Sequence, residues 1–184
     1  NKWKKKTGSI VLVNGRGDNT AKYAELSYDL HNAGFSVYTY DHRGQGQSGG
    51  RLQDHPDRGY IGNFHQYAAD MKSFIDKIVI PSGSTNLHLI AQSMGGVVAS
   101  LYMVANVDHP FKSAALVSPA FGLNTGHAGA IVKIATCLAG APGEYAKGKG
   151  GYDANLPFEN NKNTNSAARF AFMRAELNQS ECTR

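Results

Sequence analysis

Short apolar runs alternate with helical patterns over the first 118 residues. Four runs rich in apolar and β-branched residues predict strands: 9–13, 36–41, 87–91 and 113–117. Three stretches with apolar residues three or four positions apart predict helices: 23–32, 67–78 and 95–105. Strands that alternate with helices are typical of a parallel sheet with crossover helices. The pattern therefore predicts an α/β fold.

The helix predicted over residues 67–78 is amphipathic. Five of its apolar residues fall on one helical face and should pack on the core: Tyr67, Met71, Phe74, Ile75 and Ile78. Gly34 follows the helix predicted over 23–32 and should end it.

The alternation of strand and helix patterns ends at Ser118-Pro119. An amphipathic helix is predicted at 130–138, then a loop rich in Gly, Asn and Lys at 140–166, and a helix at 167–177. We therefore expect residues 1–118 to form a partial α/β core and residues 119–184 to form a separate helical cap.

Length and composition bound the class of protein. The 184 residues fit one domain, and 41% hydrophobic residues with a mean hydropathy of −0.37 are typical of a globular protein. No apolar run approaches the roughly 20 residues that cross a bilayer, and the run at 9–13 is too short for a secretory signal. Cys137 and Cys182 have neither a disulfide-framework pattern nor metal-ligand spacing.

The net charge of +5 and a pI near 9.2 favour acidic partners such as an anionic phospholipid surface or nucleic acid. Much of the excess positive charge lies in one lysine cluster within residues 2–6. Such a cluster is also typical of a solvated edge of a protein. The glycines at 15 and 17 could begin a dinucleotide fingerprint, but Thr20 occupies its third glycine position.

The strongest candidate chemistry lies in Ala91-Gln92-Ser93-Met94-Gly95-Gly96. A predicted strand runs directly into Ser93, and a predicted helix follows it. Such a tight turn exposes the serine Oγ at the carboxyl edge of the sheet and aims the next N–H at the same point. The turn needs small residues two positions before and after the serine, and here these are Ala91 and Gly95. The pattern predicts a nucleophile elbow with Ser93 as the nucleophile; a glycine-rich strand-to-helix turn with an incidental serine is the alternative.

An oxyanion hole needs a second N–H donor from a neighbouring loop. Val13-Asn14-Gly15-Arg16-Gly17 ends the first predicted strand and opens toward a helix. We therefore expect the backbone N–H groups of Met94 and Arg16 to hold the oxyanion.

Several segments together carry a family resemblance. They are 22–26, Asp41-His42-Arg43-Gly44-Gln45-Gly46-Gln47-Ser48-Gly49, the elbow at 91–96, and Ser118-Pro119-Ala120-Phe121-Gly122. The chain resembles lysophospholipases of the bacterial L2 kind, within the monoglyceride-lipase-like group of α/β-hydrolases. The resemblance implies an α/β-hydrolase fold with a helical cap inserted after the fourth strand, and hydrolysis of the carboxyl ester of a monoacyl lipid.

Two residues depart from this family. It usually has histidine where Asn14 and Gln92 stand, and both polar replacements can still form hydrogen bonds around the elbow. We expect Asn14, Gly15 and Gln92 to contribute to substrate binding.

Apolar residues of the predicted cap could line an acyl slot. These are Ala120, Phe121, Leu123, Ile131, Ile134, Ala135 and Leu138. The alternative is that the stripe at 131–138 only docks the cap on the core.

The base and acid of a catalytic triad are not evident. Only His109 and His127 follow Ser93, and neither lies in a context typical of a base. Ser118-Pro119-Ala120 contains no carboxylate, and Asp153 and Glu159 lie in the predicted cap. By the resemblance, the acid and the histidine should lie beyond Arg184. We expect an internal fragment of a longer hydrolase, incomplete at both ends; the alternative is a degenerate member that has lost its catalytic end.

The function predicted is lysophospholipid hydrolysis through an acyl-enzyme on Ser93, with no metal or organic cofactor. Alternatives are a generic carboxylesterase or monoacylglycerol lipase, a peptidase, and a non-catalytic lipid-binding protein on a decayed hydrolase scaffold. The expected partner is a small lipid ester, with peripheral contact to an anionic membrane surface possible and neither nucleic acid nor a protein partner implied. By the resemblance, the protein is bacterial and lies in the cytoplasm or at the inner membrane.

Overall fold

The computed structural model describes residues 7–53, 60–121, 157–160 and 164–179. Within these ranges, four strands form one parallel sheet in the order β2-β1-β3-β4. They are β1 (Gly8–Val13), β2 (Phe35–Thr39), β3 (Leu87–Gln92) and β4 (Phe111–Val117). All of β1 is buried, which explains its continuous apolar run. The predicted parallel α/β sheet is confirmed.

Four α-helices accompany the sheet in the described part of the chain. They are α1 (Ala24–Asn32), α2 (His65–Phe74), α3 (Met94–Ala105) and α4 (Ala167–Gln179). Single 3-10 turns occur at Thr20–Tyr23, before α1, and at Phe158–Asn160. Gly34 lies two residues beyond α1 with φ 96°, and its N–H donates to the His31 carbonyl, so it ends the helix as predicted.

The end of β2 differs from the prediction for a local reason. β2 ends at Thr39, two residues before the predicted end at Asp41. The Asp41 carboxylate accepts hydrogen bonds from the backbone N–H groups of Thr20 and Gln47 at 2.7 and 2.8 Å. These bonds draw the chain away from the sheet and into the glycine loop.

The predicted core position of Ile78 was wrong. Helix α2 continues as a π-helical turn at Ile75–Val79. Its wider turn keeps residues four apart on one face, so Tyr67, Met71, Ile75 and Val79 are buried. Ile78 is 53% exposed.

The hydrophobic core lies between the sheet and helices α2 and α3. Its buried residues come from β1, α2 with its π turn, β3, α3 and the start of β4. The largest wholly buried side chains among them include Leu89, Met71, Ile75, Val11 and Val13. This packing holds the carboxyl ends of β1 and β3 side by side, with Val13 opposite Ala91.

Little of the predicted cap falls within the described residues. The helix predicted at 130–138 lies outside them, whereas the one at 167–177 is confirmed as α4. Arg169 of α4 forms an exposed ion pair with Glu25 of α1, with Nη2 2.7 Å from Oε1. An exposed pair adds little stability. The division into a core at 1–118 and a cap at 119–184 stays a prediction.

None of the described helices combines the length and the apolar character needed to cross a membrane.

Candidate active site

Ser93 lies between the last residue of β3 and the first residue of α3. Its backbone has φ 52° and ψ −118°, a conformation that costs a non-glycine residue on the order of 1–3 kcal/mol. Three hydrogen bonds hold it there. The Ser93 N–H donates to the Val117 carbonyl at 3.0 Å, and the Ser93 carbonyl accepts from the N–H groups of Gly96 and Ala120 at 3.0 and 3.1 Å. The strained turn is therefore fixed on both sides by β4 and α3.

The small residues around Ser93 permit a close approach between elements. Ala91 is wholly buried in β3. A Cβ at Gly95 would lie 2.5 Å from the Val13 carbonyl oxygen and still closer to that of Asn14. A Cβ at Gly96 would lie 2.7 Å from the Pro119 Cβ. Helix α3 therefore begins in direct contact with the backbone at the end of β1.

Two unpaired amides lie on the loops that follow neighbouring strands. Met94 is the first residue of α3, where N–H groups have no partner within the helix. Arg16 lies three residues beyond the end of β1, the strand paired with β3. Among the described residues, neither amide donates to a protein acceptor. Both N–H groups are thus available at the carboxyl edge of the sheet, where Ser93 lies.

Gly15 and Gln92, two of the predicted substrate-binding residues, meet around Tyr23. The Tyr23 hydroxyl donates to Asp18 Oδ2 at 2.7 Å and lies 3.3 Å from Gln92 Oε1. Burial, the hydrogen bond to Asp18 and the Asp18 charge raise the pKa of Tyr23, while the Gly15 N–H lowers it. Tyr23 is therefore a neutral bridge between the loop after β1 and the elbow. A Cβ at Gly15 would collide with Gln92 Oε1, so a larger residue there would displace the Gln92 side chain.

The other predicted substrate-binding residues lie in different surroundings. Asn14 is 1% exposed, and its side-chain amide has no hydrogen-bond partner among the described residues. Phe121 follows β4 and is 62% exposed. Leu123 and the stripe at 131–138 lie outside the described residues. The roles predicted for all these residues stay predictions.

The glycine loop after β2 was assigned no role from sequence, yet it binds the loop after β1. His42 Nε2 lies 3.0 Å from the Asn14 carbonyl oxygen, and the Gln45 side-chain carbonyl accepts from the Gly17 N–H. Asp41 accepts from the Thr20 N–H. The sequence did contain one sign of these contacts. Polar residues stand among the glycines directly after a strand, and polar side chains in such a loop can bind the backbone of a neighbouring loop.

The burial of His42 makes the stability of the fold depend on pH. Burial lowers the pKa of His42, and its bond to the Asn14 carbonyl and the nearby Asp70 and Asp41 charges oppose this shift less strongly. The neutral ring is therefore favoured, with Nε2–H as the donor, because a carbonyl oxygen can only accept.

We expect the protein to lose stability relative to a His42→Gln variant as the pH falls below about 6.5, the ordinary pKa of histidine. The unfolded chain takes up a proton there that the folded chain does not, so the loss is at most about 1.4 kcal/mol per pH unit. Urea denaturation of both proteins from pH 7.5 to 5 measures it. A difference between them that is constant with pH would contradict a buried neutral His42.

Among the described residues, no His, Asp or Glu side chain forms a hydrogen bond with Ser93. His109 lies before Phe111, which pairs with Leu87 at the start of β3, whereas Ser93 follows the end of β3. The six residues of β3 separate them by about 20 Å. His127 lies outside the described residues. Within the described ranges, no group of three or more His, Cys, Asp or Glu side chains is placed to hold a metal ion.

Comparisons with known proteins agree with this geometry. The family model described as "Serine aminopeptidase, S33" matches residues 4–180. "Probable lysophospholipase L2" of Haemophilus influenzae is 37% identical over 145 residues, which cover 78% of this chain and 45% of that protein. "Lysophospholipase L2" of Escherichia coli K12 is 39% identical over 116 residues, which cover 62% and 33%. The chain thus spans less than half the length of these curated relatives.

A solved structure supports the same fold. The monoacylglycerol lipase of Paleococcus ferrophilus superposes with a TM-score of 0.57 at 26% identity, over 73% of this chain and 47% of that one. With a parallel sheet, crossover helices and a serine at the turn into α3, the chain has the α/β-hydrolase fold. It belongs to the serine aminopeptidase S33 family of hydrolases.

Proposed function

We propose that the protein is a serine hydrolase that cleaves the carboxyl ester of a monoacyl lipid, with lysophospholipid as the preferred substrate. One observation carries the proposal. Ser93 is held in a strained turn at the start of α3, at the edge of the sheet where the Met94 and Arg16 N–H groups are unpaired. A serine hydroxyl beside two free donors is the arrangement needed for acyl transfer.

The reaction follows from these groups. Ser93 Oγ attacks the ester carbonyl carbon, and the carbonyl electron pair moves to the oxygen, where the two N–H groups stabilise the negative charge. A base takes the serine proton and passes it to the leaving alcohol as the carbon–oxygen bond breaks. Water then attacks the acyl-enzyme and releases the fatty acid. The base is a histidine outside the described residues, and each oxyanion donor contributes about 3 kcal/mol.

Two observations support lysophospholipid over monoacylglycerol. Two curated relatives are named lysophospholipase L2, although one solved relative is a monoacylglycerol lipase. The Arg16 side chain is exposed and forms no ion pair among the described residues. A guanidinium beside an oxyanion donor can bind the phosphodiester of a lysophospholipid, which a monoacylglycerol lacks.

The substrate preference can be tested by comparing two lipids with the same acyl chain. Full-length protein should hydrolyse the lysophospholipid with a higher kcat/KM than the monoacylglycerol. Arg16→Gln should reduce that ratio by about two- to fivefold, the effect of one exposed charge contact, while its backbone donor remains. Equal kcat/KM for both lipids would instead support a monoacylglycerol lipase or a generic esterase.

A non-catalytic lipid-binding protein is the second candidate, because the described residues hold no base for Ser93. In that case wild type and Ser93→Ala would bind a lysolipid equally well and neither would hydrolyse it. We also propose peripheral contact with an anionic inner membrane from the cytoplasmic side, supported by the net charge of +5. Sedimentation with phosphatidylglycerol vesicles that weakens as salt is added would support this contact.

A further inference from the structure

We propose that His42 and Gln45 are positioning residues that fix the orientation of the Arg16 oxyanion donor. They belong to the segment 41–46, which we call the cradle loop. The inference rests on the proposed function and goes beyond it by assigning the catalytic geometry to a loop that does not contact the reacting atoms.

The first contact fixes the backbone before Arg16. His42 is wholly buried, and its Nε2 lies 3.0 Å from the Asn14 carbonyl oxygen. That oxygen belongs to the planar peptide group joining residues 14 and 15. The hydrogen bond therefore sets the orientation of the peptide group preceding the one that bears the Arg16 N–H.

The second contact fixes the backbone after Arg16. Gln45 is 8% exposed, and its side-chain carbonyl accepts a hydrogen bond from the Gly17 N–H. That N–H belongs to the peptide group joining residues 16 and 17. Both neighbours of the peptide group at 15–16 are thus held by side chains of one loop. Because each peptide group is planar, few orientations of the Arg16 N–H remain.

The cradle loop is itself rigid enough to do this. The His42 ring packs edge-on against Tyr40 and Tyr67, with ring centroids 5.1 and 5.2 Å away. The Gln45 N–H donates to the His42 carbonyl at 2.9 Å. Within the same loop, the Asp41 carboxylate accepts hydrogen bonds from the Thr20 and Gln47 N–H groups at 2.7 and 2.8 Å.

Kinetics of full-length variants test the positioning role. Gln45→Leu removes the acceptor at similar size and should lower kcat by about 10- to 100-fold, less than complete loss of an oxyanion donor. KM should stay within about twofold, because the donor acts mainly in the transition state. Gln45→Glu retains an acceptor for the Gly17 N–H and should recover most of the loss. Gln47→Leu, an exposed glutamine directly after the cradle loop, is the matched control and should resemble wild type.

Hydrogen exchange tests the geometry without any variant. Gly17 and Arg16 are neighbours in sequence and both are exposed, but among the described residues only the Gly17 N–H has an acceptor. In wild type the Gly17 amide should exchange at least about tenfold more slowly than that of Arg16.

The outcomes separate the two proposals. A wild type that hydrolyses no ester would overturn the proposed function and the catalytic role of the cradle loop with it. An active wild type in which Gly17 exchanges as fast as Arg16, or a folded Gln45→Leu with unchanged kcat, would overturn the positioning role alone. Slow exchange at Gly17 together with a loss in kcat and not in KM is the result expected.

Discussion

Replacing Ser93 with alanine in the full-length protein is expected to lower kcat for ester hydrolysis by about 10⁴- to 10⁶-fold. The substitution removes the attacking Oγ, and loss of a serine nucleophile costs this much in hydrolases that use one. The fold should persist, because the three hydrogen bonds that hold the turn involve only backbone atoms of Ser93. Steady-state kinetics with a lysophospholipid measures the loss of kcat, and thermal unfolding shows whether the fold persists.

Two variants sharpen this test. Ser100→Ala removes a hydroxyl from the same helix, where it donates to the Gly96 carbonyl, and should retain wild-type kcat. Ser93→Gly should be as inactive as Ser93→Ala but about 1–2 kcal/mol more stable, because glycine adopts a positive φ without strain. Substantial turnover by Ser93→Ala would contradict the assignment of the nucleophile.

The second large effect is expected at Gly95. An alanine Cβ would press against the carbonyl oxygens of Val13 and Asn14, and these are backbone atoms that cannot rotate away. The start of α3 would have to move off β1, which we expect to reduce the free energy of unfolding by about 3 kcal/mol, the upper end of the usual cost of overpacking. The movement would also separate the Met94 and Arg16 donors. Urea denaturation of full-length protein gives the loss of stability directly.

Gly49→Ala is the matched control for Gly95→Ala. Nothing lies within 4 Å of a Cβ at Gly49, so this change should alter stability by about 0.5 kcal/mol or less. Equal unfolding midpoints for the two variants would mean that α3 and β1 do not approach as closely as described.

The parts of the fold set by local pattern could be predicted from sequence. The apolar run at 9–13 and the β-branched and aromatic run at 36–41 are enough to indicate a buried and a half-buried parallel strand. The π-helical turn could not be predicted, because the sequence at Ile75–Val79 fits a regular α-helix equally well. Tertiary packing, which buries Val79 in place of Ile78, decides between them.

In the candidate site, too, features set by local sequence could be predicted and contacts between distant residues could not. The elbow was predictable because its small residues and serine are contiguous in sequence. The contacts from His42 and Gln45 to the loop after β1 join residues 28 apart, and no local pattern specifies such a pairing. The link from Tyr23 to Gln92 joins residues 69 apart and was missed for the same reason.

Covalent labelling tests the central claim most directly, namely that Ser93 is the nucleophile of an ester hydrolase. Full-length protein would be incubated with an alkyl fluorophosphonate, digested, and analysed by mass spectrometry. We expect one stoichiometric phosphonyl adduct on the peptide that contains Ser93, and none in the Ser93→Ala variant. An unlabelled protein, or an adduct on another serine that persists in Ser93→Ala, would contradict the claim.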